Sequence, residues 1–290
     1  MTRLWSVVLL GAVTAVAAVP SDRTAKLDLI ARLGQAPQLV VLGDSRGREA
    51  SPTYLRTLTG LRTFNAAVTG GSAPDAWVFT RDVQDRFPLV HRRYIWFVSA
   101  GLATGLVEPV STTDPRSRQY LAEVSQYTTL EPGVPFATDT RYRADGSIAD
   151  WNPAYTPAHA AAVRTAAARL VAQLRGHPPA AVSPDLSQFR LFEHLLGYMN
   201  GLGSRPVIVL NPVYPTVLAE LRKHGNPLAT STLTYLDSLH ARYDFVVVDC
   251  EDSRAWGGTD YDWANPTHVG AANMRRMLRY IVAHSDGALK

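Results

Sequence analysis

Apolar residues along the chain fall into short unbroken runs separated by longer, helically periodic stretches. The runs lie at 38–42, 63–68, 94–99, 206–210 and 244–249. A continuous run rich in Val, Ile and Leu that stops at a turn residue is the pattern of a strand buried on both faces. Between the runs, 21–33 carries an amphipathic repeat closed by Gly34. Residues 51–59 read as a helix with Ser51 as cap and Pro52 at its first position. Further helices are predicted at 73–87, from Thr156-Pro157 to about Arg175, and from Ser183-Pro184 to about Asn200. Three more follow at about 214–223, 229–242 and 270–284. Strands alternating with helices, without hairpin signals, predict a three-layer α/β sandwich around a mainly parallel five-stranded sheet.

Two segments stand apart. Residues 105–155 are rich in Thr, Pro, Asp, Tyr and Arg with little sustained period. They read as a lid or surface excursion from one domain spanning 21–290. At the N-terminus, Arg3 precedes an uncharged stretch at 4–19, with small residues at Ala15-Val16-Ala17 and a break at Pro20. Residues 1–20 therefore read as a signal peptide or signal anchor. Either places the remaining chain outside the cytoplasm, secreted or tethered by its N-terminal helix.

Composition narrows the classes. Hydrophobic content of 46% with 19% charge describes a globular chain, and 290 residues suffice for one large core. The net charge of +4 is scattered, with no basic stretch interleaved with aromatics, so no nucleic-acid partner is expected. The one cysteine, Cys250, excludes an intramolecular disulfide. No CxxC, HExxH, GxGxxG or GxxxxGK[ST] pattern is present, so no metal and no cofactor are expected.

The candidate chemistry sits at the ends of the runs. Ligands of open α/β sheets bind at the carboxyl ends of the strands. Gly43-Asp44-Ser45 closes the first run, Gly70 follows the second and Gly101 the third. Taken alone, Asp44-Ser45 is equally ordinary turn chemistry or a helix cap. A serine nucleophile needs a base within reach, a group that orients the base, and amide donors for the oxyanion. His268, just before the last predicted helix in Asp260-Tyr261-Asp262-Trp263-Ala264-Asn265-Pro266-Thr267-His268, supplies a candidate base.

These stretches together resemble the SGNH (GDSL-like) hydrolase superfamily. Gly43-Asp44-Ser45 resembles its first block, 65–70 its second and Pro266-Thr267-His268 its fifth, in order over most of 38–284. The resemblance implies a flavodoxin-like sheet and ester or acyl-transfer chemistry at Ser45. It implies His268 as base and the amides of Ser45 and Gly70 as the oxyanion hole. Asp44, Arg46, Gly71 and Gly101 are the candidate substrate contacts. Two positions depart from the pattern. Ala103 stands where the third block has an oxyanion asparagine, and Asn265 where the fifth has its acid. Asp262 is a second candidate for orienting His268, and Asp44 a third.

The layout is similar to extracytoplasmic, membrane-tethered members that help acylate cell-surface polymers, including the teichoic-acid D-alanylation and alginate O-acetylation partner proteins. Two readings stay open. One is a serine esterase or acyltransferase acting on O-acetyl or similar groups of surface polysaccharide. The other is a catalytically degenerate scaffold that binds glycan or partners a membrane-bound O-acyltransferase.

Overall fold

A computed structural model describes residues 21–99, 114–127, 140–149, 156–177 and 186–290. The expected N-terminal signal or anchor, Gly101 and Ala103 lie outside the described residues. Among the described residues no helix is long and apolar enough to cross a membrane.

Five strands form the central sheet: β1 Leu39–Gly43, β2 Thr63–Asn65, β3 Arg93–Val98, β4 Val207–Leu210 and β5 Val246–Asp249. Every pairing is parallel and the spatial order is β2-β1-β3-β4-β5. That is the flavodoxin-like order, and the expected α/β class is what the chain adopts. The helices are α1 Asp22–Arg32, α2 Pro52–Thr59, α3 Ala73–Arg86, α4 Pro115–Glu123, α5 Pro157–Gly176, α6 Leu186–Gly201, α7 Pro215–Lys223, α8 Pro227–Leu239 and α9 Ala271–Ala283.

The unbroken apolar runs are explained by burial of both sheet faces. Successive side chains of a strand point to opposite faces. Val40 and Leu42 of β1 accordingly enter a core with Leu27 of α1, Phe79 of α3, Phe192 of α6 and Leu236 of α8. Leu39 and Val41 enter the opposite core with Leu55 of α2, Val163 of α5, Val217 of α7 and Met277 of α9. Part of the 105–155 stretch also belongs to the packed body. Leu121 and Val124, at α4 and its end, are fully buried, and Trp77 Nε1 donates to the Tyr120 carbonyl at 2.9 Å.

Two local differences from the sequence pattern matter for the site. β2 is shorter than its apolar run, because Asn65 turns the chain. The Asn65 side chain accepts from the Ala67 amide and donates to the carbonyls of Gly47 and Ala50. The segment ahead of α9 is not a plain loop. β6 (Trp263–Asn265) and β7 (His268–Val269) pair antiparallel around Pro266-Thr267, with Asn265 opposite His268.

Candidate active site

The chain leaves β1 for β2 on one side and then crosses to β3 on the other, so the switch point lies between β1 and β3. Such a point opens a crevice at the carboxyl ends of the strands. Ser45 lies just past β1 at this crevice and Ser99 just past β3.

The backbone there is made by close approach. Gly43 has φ +129°, and a Cβ on it would lie 2.3 Å from the Phe97 carbonyl oxygen. A Cβ on Gly71 would lie 2.2 Å from the Gly43 carbonyl oxygen. That same oxygen accepts from the Val68 amide at 3.1 Å. Glycine at 43 and 71 thus lets β1, β3 and the β2–α3 connection meet. Gly71, a candidate substrate contact by sequence, is in the structure packed against the backbone of the Gly43–Ser45 turn.

Asp44 organises that turn rather than the imidazole. Its carboxylate accepts from the Arg46 amide at 2.9 Å, the Ser99 hydroxyl at 2.6 Å and Asn211 Nδ2 at 3.3 Å. Arg46 closes the arrangement. Its Nε donates to the Thr267 carbonyl at 3.1 Å, and its Nη1 donates to the Ser99 hydroxyl. Arg46 therefore ties the serine turn to the histidine hairpin, across 221 positions of sequence. Ser99 and Asn211 were not singled out from the sequence. The only signal for them is their place directly after β3 and β4.

His268 Nε2 lies 2.8 Å from Ser45 Oγ. Its Nδ1 lies 3.0 Å from Asn265 Oδ1 and 3.1 Å from Thr267 Oγ1. The tautomer follows from the hydrogen-bond network. Asn265 Oδ1 also accepts from the Thr267 backbone amide at 2.9 Å, a group that can only donate. The atom facing Nδ1 is therefore the amide oxygen, and Nδ1 carries the proton. Nε2 is left as the acceptor for the Ser45 hydroxyl. The hairpin register causes this arrangement, because residues directly opposite on an antiparallel pair share a face.

Asp262 is placed elsewhere. Its carboxylate accepts from the Asn273 amide in the first turn of α9, and its carbonyl from the Gly270 amide at 2.7 Å. Among the described residues no hydrogen bond joins it to His268. It anchors the start of α9, which fixes the hairpin from behind.

Electrostatics at the imidazole favour the neutral form. Burial, then the Arg46 guanidinium, push the His268 pKa down to about 4, against an opposing pull from Asp44. Asn265 brings no charge to reverse this. The imidazole is thus available as an acceptor at neutral pH but is a weak base.

Gly70, at φ +59°, follows Thr69, which is held by Asp22 of α1. The Asp22 carboxylate accepts from the Thr69 amide at 3.1 Å, the Thr69 hydroxyl at 2.5 Å and Arg48 Nη1 at 3.0 Å. Burial pushes the Asp22 pKa up, but Arg48 and Thr69 outweigh it and hold the carboxylate below its usual range. Among the described residues, the amides of Ser45 and Gly70 donate no hydrogen bond.

No protein-family model and no curated protein matches the chain. Among the solved structures similar to it are the following two. One, from Desulfitobacterium hafniense DCB-2, is provisionally described as a lipolytic protein of the G-D-S-L family. It is 13% identical over 85% of this chain and 98% of that one, with a TM-score of 0.40. The other, from Streptococcus pneumonia, is provisionally described as a platelet activating factor. It is 11% identical over 93% of this chain and 91% of that one, with a TM-score of 0.39.

Proposed function

We propose that the chain is an SGNH-type serine esterase or acyltransferase acting on O-acetyl or similar acyl groups of cell-surface polysaccharide, outside the cytoplasm. The observation that carries the chemistry is the Ser45–His268–Asn265 chain of contacts, with Ser45 Oγ 2.8 Å from Nε2, the ring nitrogen that the hydrogen-bond network assigns as the acceptor. A nucleophile within hydrogen-bond reach of an oriented base is the arrangement nucleophilic acyl transfer needs.

In this reading the Ser45 hydroxyl gives its proton to His268 Nε2 as Oγ bonds to the acyl carbonyl carbon. The carbonyl π electrons move onto oxygen, where the Ser45 and Gly70 amides receive the charge. Collapse of the intermediate breaks the ester C–O bond, and His268 returns the proton to the departing alcohol. A water or a glycan hydroxyl then reverses the sequence on the acyl-serine. Exposed Asn265 holds Nδ1 but adds no charge, so turnover is expected to be slow.

The test is labelling with a fluorophosphonate. A single adduct on Ser45, absent from Ser45→Ala, is expected. No adduct where a control hydrolase reacts would overturn the reading. The low pKa of His268 favours one alternative, a degenerate scaffold beside a membrane-bound O-acyltransferase. Under it, Ser45→Ala at normal protein level would leave polymer acylation in cells unchanged.

A further inference from the structure

Beside the Ser45 turn lies a cavity of about 150 Å³, open to solvent. Glu49, Arg48, Arg143 and Arg275 line it. Glu49 comes from the short helical turn Gly47–Glu49 that follows Ser45 and Arg46, Arg143 from the 140–149 segment, and Arg275 from α9.

The charges do not cancel. Arg48 is shared with Asp22, but its Nε is buried and has no hydrogen-bond partner among the described residues. Arg143 donates to the carbonyls of Ile148 and Ala149 and meets no carboxylate among the described residues. Arg275 makes no hydrogen bond or ion pair with the described residues. The one acid, Glu49, is only 9% exposed, and its Oε2 is buried with no partner among the described residues. Burial, then the nearby carboxylates of Asp44 and Asp262, raise its pKa well above the usual value, against Arg48 and Arg46. A buried carboxyl with no partner is costly as an anion and gains as a neutral O–H donor.

We infer that this cavity is a binding site for a single oxyanion group, a carboxylate or a phosphate, held by Arg275, Arg143 and the unpartnered carboxyl of Glu49. Guanidinium forks match the planar or tetrahedral oxygens of such groups. The Glu49 carboxyl adds a donor where an ionised acid would repel. The site stands on its own geometry and does not depend on chemistry at Ser45.

The test is calorimetric titration of the full chain, at fixed ionic strength, with inorganic phosphate and with methyl glucuronoside. Saturable binding of at least one probe is expected, and which one binds separates a phosphate from a uronate source. Arg275 is exposed and outside the candidate catalytic machinery, so Arg275→Glu should fold normally and bind at least about tenfold more weakly. Glu49→Gln keeps a neutral donor and should retain binding. Ser45→Ala should bind like the parent chain, which separates the fate of this inference from that of the catalytic reading. No saturable binding of either probe, or binding unchanged in Arg275→Glu, would overturn the assignment.

Discussion

Asn265 reaches His268 across a two-residue hairpin, its Oδ1 3.0 Å from Nδ1. This contact supplies the right tautomer without the charge that a carboxylate would add. In the serine-protease template, replacing the acid with Asn costs about 10⁴-fold, largely through the wrong tautomer. Here the Thr267 amide fixes the Asn265 oxygen toward the ring, so only the charge is missing. Asn265→Asp should therefore raise the His268 pKa and speed acylation at neutral pH by up to about tenfold. Asn265→Ala should slow it by roughly 10²-fold through loss of orientation. Single-turnover acylation rates check both. Slower acylation of the Asn265→Asp variant would contradict this account of the Ser45–His268–Asn265 contacts.

The acid limb of the pH–rate profile follows from the imidazole. His268 is held at about 4 by burial and Arg46, so it stays an acceptor at pH values where an ordinary histidine is protonated. The Ser45 labelling rate should be flat from about pH 5.5 to 8 and fall only as pH drops through about 4. Arg46→Gln removes the neighbouring cation and should move the limb upward. A limb near the ordinary histidine value of about 6.5 in the parent chain would contradict the geometry.

The glycine contacts give a stability prediction. Gly43→Ala places a Cβ 2.3 Å from the Phe97 carbonyl oxygen at a φ of +129°, and Gly71→Ala places one 2.2 Å from the Gly43 oxygen. Overpacking at both positions, with backbone strain added at Gly43, should cost about 3 kcal/mol or more at either. Thermal melts should show a Tm lower by several degrees for each. A change below about 1 kcal/mol at Gly43 would mean the turn is not held as described.

Lys26 predicts a pH dependence of stability. Its ammonium is fully buried, donating to the Asn65 carbonyl at 2.6 Å and to the Gly146 carbonyl, with the Tyr142 ring 4.3 Å away. Burial lowers its pKa to about 7, with Asp22 opposing. The unfolded value is about 10.4. Between the two, the unfolded chain holds a proton that the folded chain has released, so stability rises with pH. Below about 7 both forms hold it, and the burial cost is at its largest. Relative to Lys26→Met, the parent chain should gain up to about 1.4 kcal/mol per pH unit between about pH 7 and 9. Parallel denaturation curves at all pH values would contradict it.

How far the sequence shows this arrangement depends on how local each feature is. The strands are legible because β1, β3 and β4 are apolar runs that fill both cores. Ser45 and His268 are visible as motifs beside elements. The partner of His268 is legible only as a choice among Asn265, Asp262 and Asp44, since Asn265 and Asp262 stand three positions apart in a segment without turn glycines. Only the β6–β7 register puts Asn265 opposite the ring and sends Asp262 to the start of α9. The support for Asp44 from Ser99 and Asn211 depends on β3 lying beside β1 and β4 next beyond it. The partial burial of 105–155 depends on α4 packing against α3. None of these neighbours is close in sequence.

The central claim is that His268 activates Ser45 toward an acyl carbon. Intact-mass and peptide mapping of the full chain after brief exposure to an activated acetyl ester at pH 8 tests it most directly. The account predicts one acetyl group on Ser45 in the parent chain, none in Ser45→Ala, and a strongly slowed adduct in His268→Ala. An unmodified Ser45 in the parent chain, under conditions that acetylate a control serine hydrolase, would contradict it.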